Sequence, residues 1–220
     1  MAVYKRYHQE RCRIKGEIDT RDIAVNDPNL RASLCSASAT LPGELLAAVN
    51  EVRVLHGTKA AHVFPILADG FNERLSGGPR SYFGQTLYFA EDAGKCDQYC
   101  TRDSSYMEAH AKTLHEMLYK DGCEHPGDVF YMFACLHTMG KFVRTDSKLL
   151  DAPNLDHPDC CVWATPQRRE FACIPGLKPS LHYHSLVAEV GKDITRYREI
   201  VQSRAERVYP EYLIAYKRAA

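Results

Sequence analysis

Apolar residues at the start of the chain recur at helical spacing: Val3, Tyr7, Ile14 and Ile18 share one face of a modestly amphipathic helix packed on the body, with Gly16 as its interruption. A second helix is expected over residues 41–49, with Thr40 as N-cap and Pro42 in the first turn. The period then drops to two. Residues 51–55 alternate charged and apolar, with Val52 and Val54 on one face, and the strand stops at Gly57, which places His56 at a strand end. Residues 60–67 predict a helix that halts before Gly70, and the polar run ERLSGGPRS predicts a flexible loop able to cover a cleft. Residues 86–90 have the β-branched and aromatic character of a strand, and Glu91 and Asp92 suit the start of a helix carrying Cys96 and Tyr99. Three apart on that helix, Cys96 and Tyr99 share a face close to Tyr88.

Residues 129–136 are apolar on both faces, the pattern of a doubly buried central strand. Residues 148–179 hold five prolines and little periodicity, and are expected to form a long irregular insertion. Two strands close the chain, in YREIVQ and YPEYLIAYKR. No repeat or Ser/Gly linker divides the sequence, so residues 1–50 read as a helical extension packed on one α+β domain over 51–220.

Composition narrows the function. Of 220 residues, 45% are hydrophobic and 25% charged, ordinary globular usage. Lys+Arg and Asp+Glu balance at 28 each, so the basic footprint of a duplex nucleic-acid binder is missing. No apolar run approaches the ~18–20 residues of a membrane span, and residues 1–13 form no secretory h-region. Nine cysteines without a Cys-x-x-Cys fit free thiols in a reducing cytoplasmic or nuclear compartment, and bridging the adjacent Cys160 and Cys161 would be strained. Gly-x-Gly-x-x-Gly, the phosphate-loop Gly-Lys-Ser/Thr, Gly-x-Ser-x-Gly and His-Glu-x-x-His are all absent. Cys123-Glu-His125 and His157-Pro-Asp-Cys160-Cys161 are metal-like fragments without two ligand pairs at tetrahedral spacing, so no metal is expected.

Three blocks then stand out: VLHGTKAAHVFPILADGFNERL, YFGQTLYFAEDAGKCDQYC and YREIVQSRAERVYPEYLIAYKR. With the weaker MFACLHTMGK and HYHSLV, they resemble the catalytic domain of the poly(ADP-ribose) polymerases, most the tankyrase branch, over about residues 51–217. The resemblance implies the ADP-ribosyltransferase fold, two packed β-sheets with flanking helices and an NAD-binding cleft. It also implies transfer of ADP-ribose from NAD⁺ to a protein or other acceptor, or to the enzyme itself, with release of nicotinamide.

By the same resemblance the backbone of Gly57 recognises the nicotinamide amide, Tyr99 stacks on the ring with Tyr88 opposite, and His56 contacts ribose hydroxyls of the adenosine. Thr58, Ala90 and Cys96 complete the NAD⁺ contacts, and His56, Tyr88 and Glu199 form the catalytic His-Tyr-Glu set. Counting back from the Tyr-Pro-Glu-Tyr motif makes Glu199 the carboxylate that stabilises the oxocarbenium-like centre, and leaves Glu211 structural.

Two positions depart from the family pattern. Cys96 stands where most relatives carry a hydroxyl-donating Ser, and Thr86 where they carry a Gly, which puts the geometry of the donor loop in question. Only Cys123 and His125 occupy the region of the tankyrase zinc site, so the zinc is not carried over. About fifty residues before the domain leave no room for a helical regulatory domain, so no DNA requirement is expected. A catalytically silent NAD- or ADP-ribose-binding module and an NAD⁺ glycohydrolase are the alternative readings.

Overall fold

The computed structural model describes residues 2–25, 27–36, 41–76, 81–103, 112–120, 123–149, 151–165 and 170–218. In chain order these form α1 (Ala2–Arg21), α2 (Pro28–Ser36), β1 (Glu51–Gly57), α3 (Ala60–Asp69), β2 (Leu87–Phe89), α4 (Ala93–Asp97) and α5 (Lys112–Leu118). There follow β3 (Phe130–Thr138), β4 (Phe142–Thr145), β5 (Pro153–Asn154), β6 (His157–Cys161), β7 (Ser185–Ala188), β8 (Glu199–Gln202) and β9 (Val208–Tyr216).

Two sheets organise the molecule. One is antiparallel in the order β1–β3–β9, and the other runs β2–β8–β7–β4 with only the β4–β7 pair parallel. The uncharged run FYMFACLHT makes β3 the centre of the first sheet, where every position is buried. On β9, Tyr212 faces Ala134 and Pro210 faces Cys135, so Glu211 is the extra residue of a bulge. Its carboxylate accepts from Arg53 Nε at 2.7 Å. The sheets meet through one bridge, in which Leu55 N–H bonds the Ala90 carbonyl at 2.8 Å and Ala90 N–H the Leu55 carbonyl at 3.0 Å.

One apolar core lies between the two sheets and takes residues from both, and a second covers the other face of the β2–β8–β7–β4 sheet. Val52, Val54, Val63, Phe71, Phe89, Tyr131 and Phe133 belong to the first. Ile14, Ile18, Phe83, Val143, Trp163, Phe171, Leu186 and Val201 belong to the second. Among its described residues the 148–179 segment pairs strands in the short β5–β6 hairpin alone, as its prolines suggest, yet it supplies Ala152, Val162, Trp163, Phe171 and Ile174 to that second core.

Several local expectations change. α1 runs unbroken through Gly16, where an added Cβ would meet open space. The helix expected over 41–49 reduces to a single 3-10 turn at Ala47–Val49, and its expected cap Thr40 lies outside the described residues. The cause is the charged face of β1, which is buried rather than solvated: Arg53 bonds the carbonyls of Leu41 and Pro42, and Glu51 accepts the Leu46 N–H at 2.8 Å. These bonds draw the segment into an irregular path. α4 ends at Asp97, so Tyr99 sits in the following turn instead of on the helix. The unforeseen α2 begins at Asp27-Pro28, where the Asp27 carboxylate accepts the Leu30 N–H at 2.9 Å and Pro28 occupies the first helical position.

Candidate active site

The end of β1, β2, α4 and the first residue of β8 surround a cavity of about 490 Å³. It is lined by His56, Gly57, Tyr88, Ala90, Cys96, Tyr99 and Glu199 among the residues singled out from the sequence. Ser76, Ser81, Tyr82 and Lys95 line it as well. Thr58 is buried and is not among the lining residues. Glu211, on its bulge, pairs with Arg53 and takes no part in the lining.

The bridge between the sheets sets the first wall. Leu55 turns its N–H and C=O away from β3 toward Ala90, and the alternation of a strand aims those of Gly57 to the same side. Glycine is needed here for space: a Cβ would lie 1.8 Å from the Cys96 carbonyl oxygen. His56 packs against Phe71 at 4.9 Å and Phe89 at 5.3 Å between ring centroids. Its Nδ1 donates to the Tyr88 carbonyl at 2.9 Å, leaving Nε2 as an acceptor in the neutral ring. Burial pushes the His56 pKa down to about 4, only partly offset by that bond, so the ring is neutral near pH 7.

Glu199 opens β8 with 7% exposure and receives Lys95 Nζ at 2.7 Å. Burial disfavours the Lys95 charge, but the Glu199 carboxylate outweighs it and raises the Lys95 pKa. The same ammonium lies 5.3 Å from the centroid of the Tyr99 ring, which is 57% exposed at the rim. Arg198, next in sequence, turns elsewhere and pairs with Glu189 at 2.7 Å and Glu91 at 2.9 Å. Lys95 went unnoticed in the sequence; its signal was the four-residue offset from Tyr99 beside an N-capping Asp92.

Cys96 is buried, and burial pushes its thiol up to about 12, against backbone hydrogen bonds from Gly57 and Ala90. It is a neutral thiol beside the Gly57 backbone. Thr86, in the position of the expected glycine, is buried; Gly84 at φ 72° makes the left-handed turn, and the Thr86 hydroxyl donates to the Phe83 carbonyl at 3.2 Å.

One other group of potential metal ligands occurs among the described residues: Asp103, His115 and His125, with ligand atoms within 4.8 Å of one another. Asp103 Oδ2 lies 2.6 Å from His115 Nε2 and 3.3 Å from His125 Nε2, and accepts the Tyr131 hydroxyl at 3.0 Å. Because His125 Nδ1 accepts the Gly127 N–H at 3.1 Å, its neutral ring carries the proton on Nε2. In that state Nε2 donates to the Asp103 carboxylate. The cluster is a hydrogen-bond hub tying the start of β3 to α5.

The family model of the poly(ADP-ribose) polymerase catalytic domain matches residues 23–218. The chain belongs to that family. No curated protein sequence matches it at a significant level. Among the described residues, no helix is long and apolar enough to cross a membrane.

Proposed function

From membership of that family, we propose that the protein transfers ADP-ribose from NAD⁺ to an acceptor and releases nicotinamide. The observation that carries the reading is the meeting of Glu199, held by Lys95, with His56, Gly57, Tyr88 and Tyr99 around one cavity. Nicotinamide lies between Tyr88 and Tyr99 with its amide on the Gly57 backbone, and His56 Nε2 accepts from a ribose hydroxyl. Glu199 bonds the 2′-hydroxyl of the nicotinamide ribose and stabilises positive charge as the bond from C1′ to the pyridinium nitrogen breaks. The bonding pair leaves with nicotinamide, which becomes neutral; a lone pair of the acceptor forms the new bond to C1′ and the acceptor gives up a proton.

Acceptors are protein side chains, including the enzyme's own, or another nucleophile. The tankyrase-like placement rests on the three matching blocks over residues 54–75, 82–100 and 197–218.

Labelled NAD⁺ incubated with wild type and Glu199→Gln tests this. Wild type should release nicotinamide and retain label on protein, and Glu199→Gln should do neither while NAD⁺ still raises its melting temperature. Wild-type turnover by Glu199→Gln would overturn the catalytic assignment. Release without bound label would make the protein a glycohydrolase, and stabilisation without release would make it a binding module.

A further inference from the structure

The segment that follows the polar loop, residues 81–86, forms the cavity rim opposite α4, and it is tied down in an unusual way. Its Phe83 is 1% exposed and buried in the second core, with its ring 6.5 Å from that of Trp163, which in turn lies 5.3 Å from Phe171. Trp163 and Phe171 both come from the 148–179 insertion. A second contact runs the same way, since Lys148 Nζ lies 4.7 Å above the ring of Tyr82, which lines the cavity.

On its other side the segment holds Tyr88. The Phe83 N–H donates to the Tyr88 hydroxyl at 2.8 Å, and Ser81 Oγ shares a hydrogen bond with that hydroxyl. Ser76 Oγ, at the near end of the loop, donates to the Thr86 carbonyl at 2.6 Å. The hydroxyl of Tyr88 is thus committed to the loop, and the loop is committed to the insertion.

We propose that the insertion is the anchor of the donor-binding loop, with Phe83, Trp163 and Ser81 acting as positioning residues that hold Tyr88 and the cavity rim in their NAD⁺-binding arrangement. The inference rests on the cleft being an NAD⁺ site. It assigns a function to the one region whose composition suggested none, and explains why Thr86 is tolerated: its side chain closes the same loop from within. A purely structural role would have Phe83 and Trp163 set the melting temperature and nothing else.

The test measures NAD⁺ affinity by calorimetry in a Glu199→Gln background, where turnover is slow on the time of the titration, with hydrogen exchange of residues 81–88 alongside. Phe83→Ala should weaken NAD⁺ about tenfold or more through lost positioning and speed exchange across the segment. Ser81→Ala opens no cavity in the core and guards against a folding defect; it should weaken NAD⁺ about threefold to fivefold, the scale of one neutral hydrogen bond. Combined with Tyr88→Phe, it should cost less than the sum of the two single effects, because both remove the Ser81–Tyr88 bond, while the Ser81 bond to the Gly84 carbonyl at 2.8 Å is lost only with Ser81. Folded Phe83→Ala with parental affinity and parental exchange would overturn the proposal, as would fully additive effects of Ser81→Ala and Tyr88→Phe. If the parent binds no NAD⁺, the reading of the cleft fails, and exchange still decides the anchor: unchanged exchange in Phe83→Ala overturns it and faster exchange upholds the loop–insertion link.

Discussion

Glu51 and Glu199 each open a strand, each is almost fully buried, at 0% and 7% exposure, and each touches a cation. Their surroundings differ. Glu51 accepts from Arg11 at 2.7 Å, from the Leu46 N–H at 2.8 Å and from the Tyr7 hydroxyl, and α1 seals it beneath the body. Glu199 accepts from Lys95 and otherwise faces the 490 Å³ cavity. A carboxylate with every direction filled by donors serves the fold; one held on a single side and open on the other is available to a substrate. Burial alone does not separate the two roles.

The largest expected effect sharpens that contrast. Glu199→Gln keeps the shape and still accepts from Lys95, so the melting temperature should barely move while turnover falls by about 10²–10³-fold or more, the scale of losing one electrostatic stabiliser of the transition state. Glu51→Gln should do the reverse. Leaving Arg11 and the Tyr7 hydroxyl with a weaker acceptor in a closed site should cost about 3 kcal/mol of stability, and activity per folded molecule should be retained. Denaturant unfolding beside single-turnover rates on both variants checks this, and equal losses in both assays would erase the distinction.

Next in size is Gly57→Ala. The new methyl would overlap the Cys96 carbonyl, which belongs to backbone, so β1 and α4 must move apart and that wall of the cavity opens. Nicotinamide affinity should fall by about tenfold or more, on the scale of ~1 Å misplacement. Unchanged affinity would show that α4 is free to shift.

How far the sequence foretold these features depends on how local their causes are. The end of β1, β2 and the strand of Glu199 were legible because alternation and the family blocks coincide there, and β3 because an uncharged run of that length suits only a covered strand. The charged residues of β1 were misleading: alternation assigns Glu51 and Arg53 to solvent, whereas α1 and Glu211, distant in sequence, bury and pair them. The same non-locality hid the irregular 41–46 path, whose hydrogen bonds go to those two side chains. The insertion was opaque because Trp163 and Phe171 gain meaning only against Phe83, some eighty residues earlier.

Acid should separate the two sides of the molecule less steeply. Burial lowers the pKa of His56 and His184 to about 4 and of His137 to about 3, while the unfolded rings titrate near ~6.5. The unfolded chain therefore binds more protons between these limits, so stability is full above about pH 6.5 and declines as pH falls toward about 4. Melting temperature should follow that limb. Burial also opposes the charge of Glu10, but Arg13 and Arg207 bring its pKa down to about 2, which extends the loss below pH 4.5. Among the described residues neither ring nitrogen of His137 finds a hydrogen-bond partner, so His137→Leu should be near neutral at pH 7 and should flatten the limb. An unaltered limb would mean that His137 does not contribute to it.

The smallest effect concerns the buried Cys96 thiol. With burial holding its pKa at about 12, Cys96 is a protonated and weak donor beside the Gly57 backbone. A serine there supplies one ordinary hydrogen bond to the nicotinamide amide, about 1 kcal/mol or roughly fivefold in affinity. Nicotinamide or benzamide titrated into wild type and Cys96→Ser should show that tightening, with the effect of Glu199→Gln on turnover unchanged in either background because the two side chains line different walls of the cavity. Equal affinities would mean that the Gly57 backbone alone recognises the amide, and that the cysteine is tolerated because the wall it belongs to is built by β1 rather than by α4.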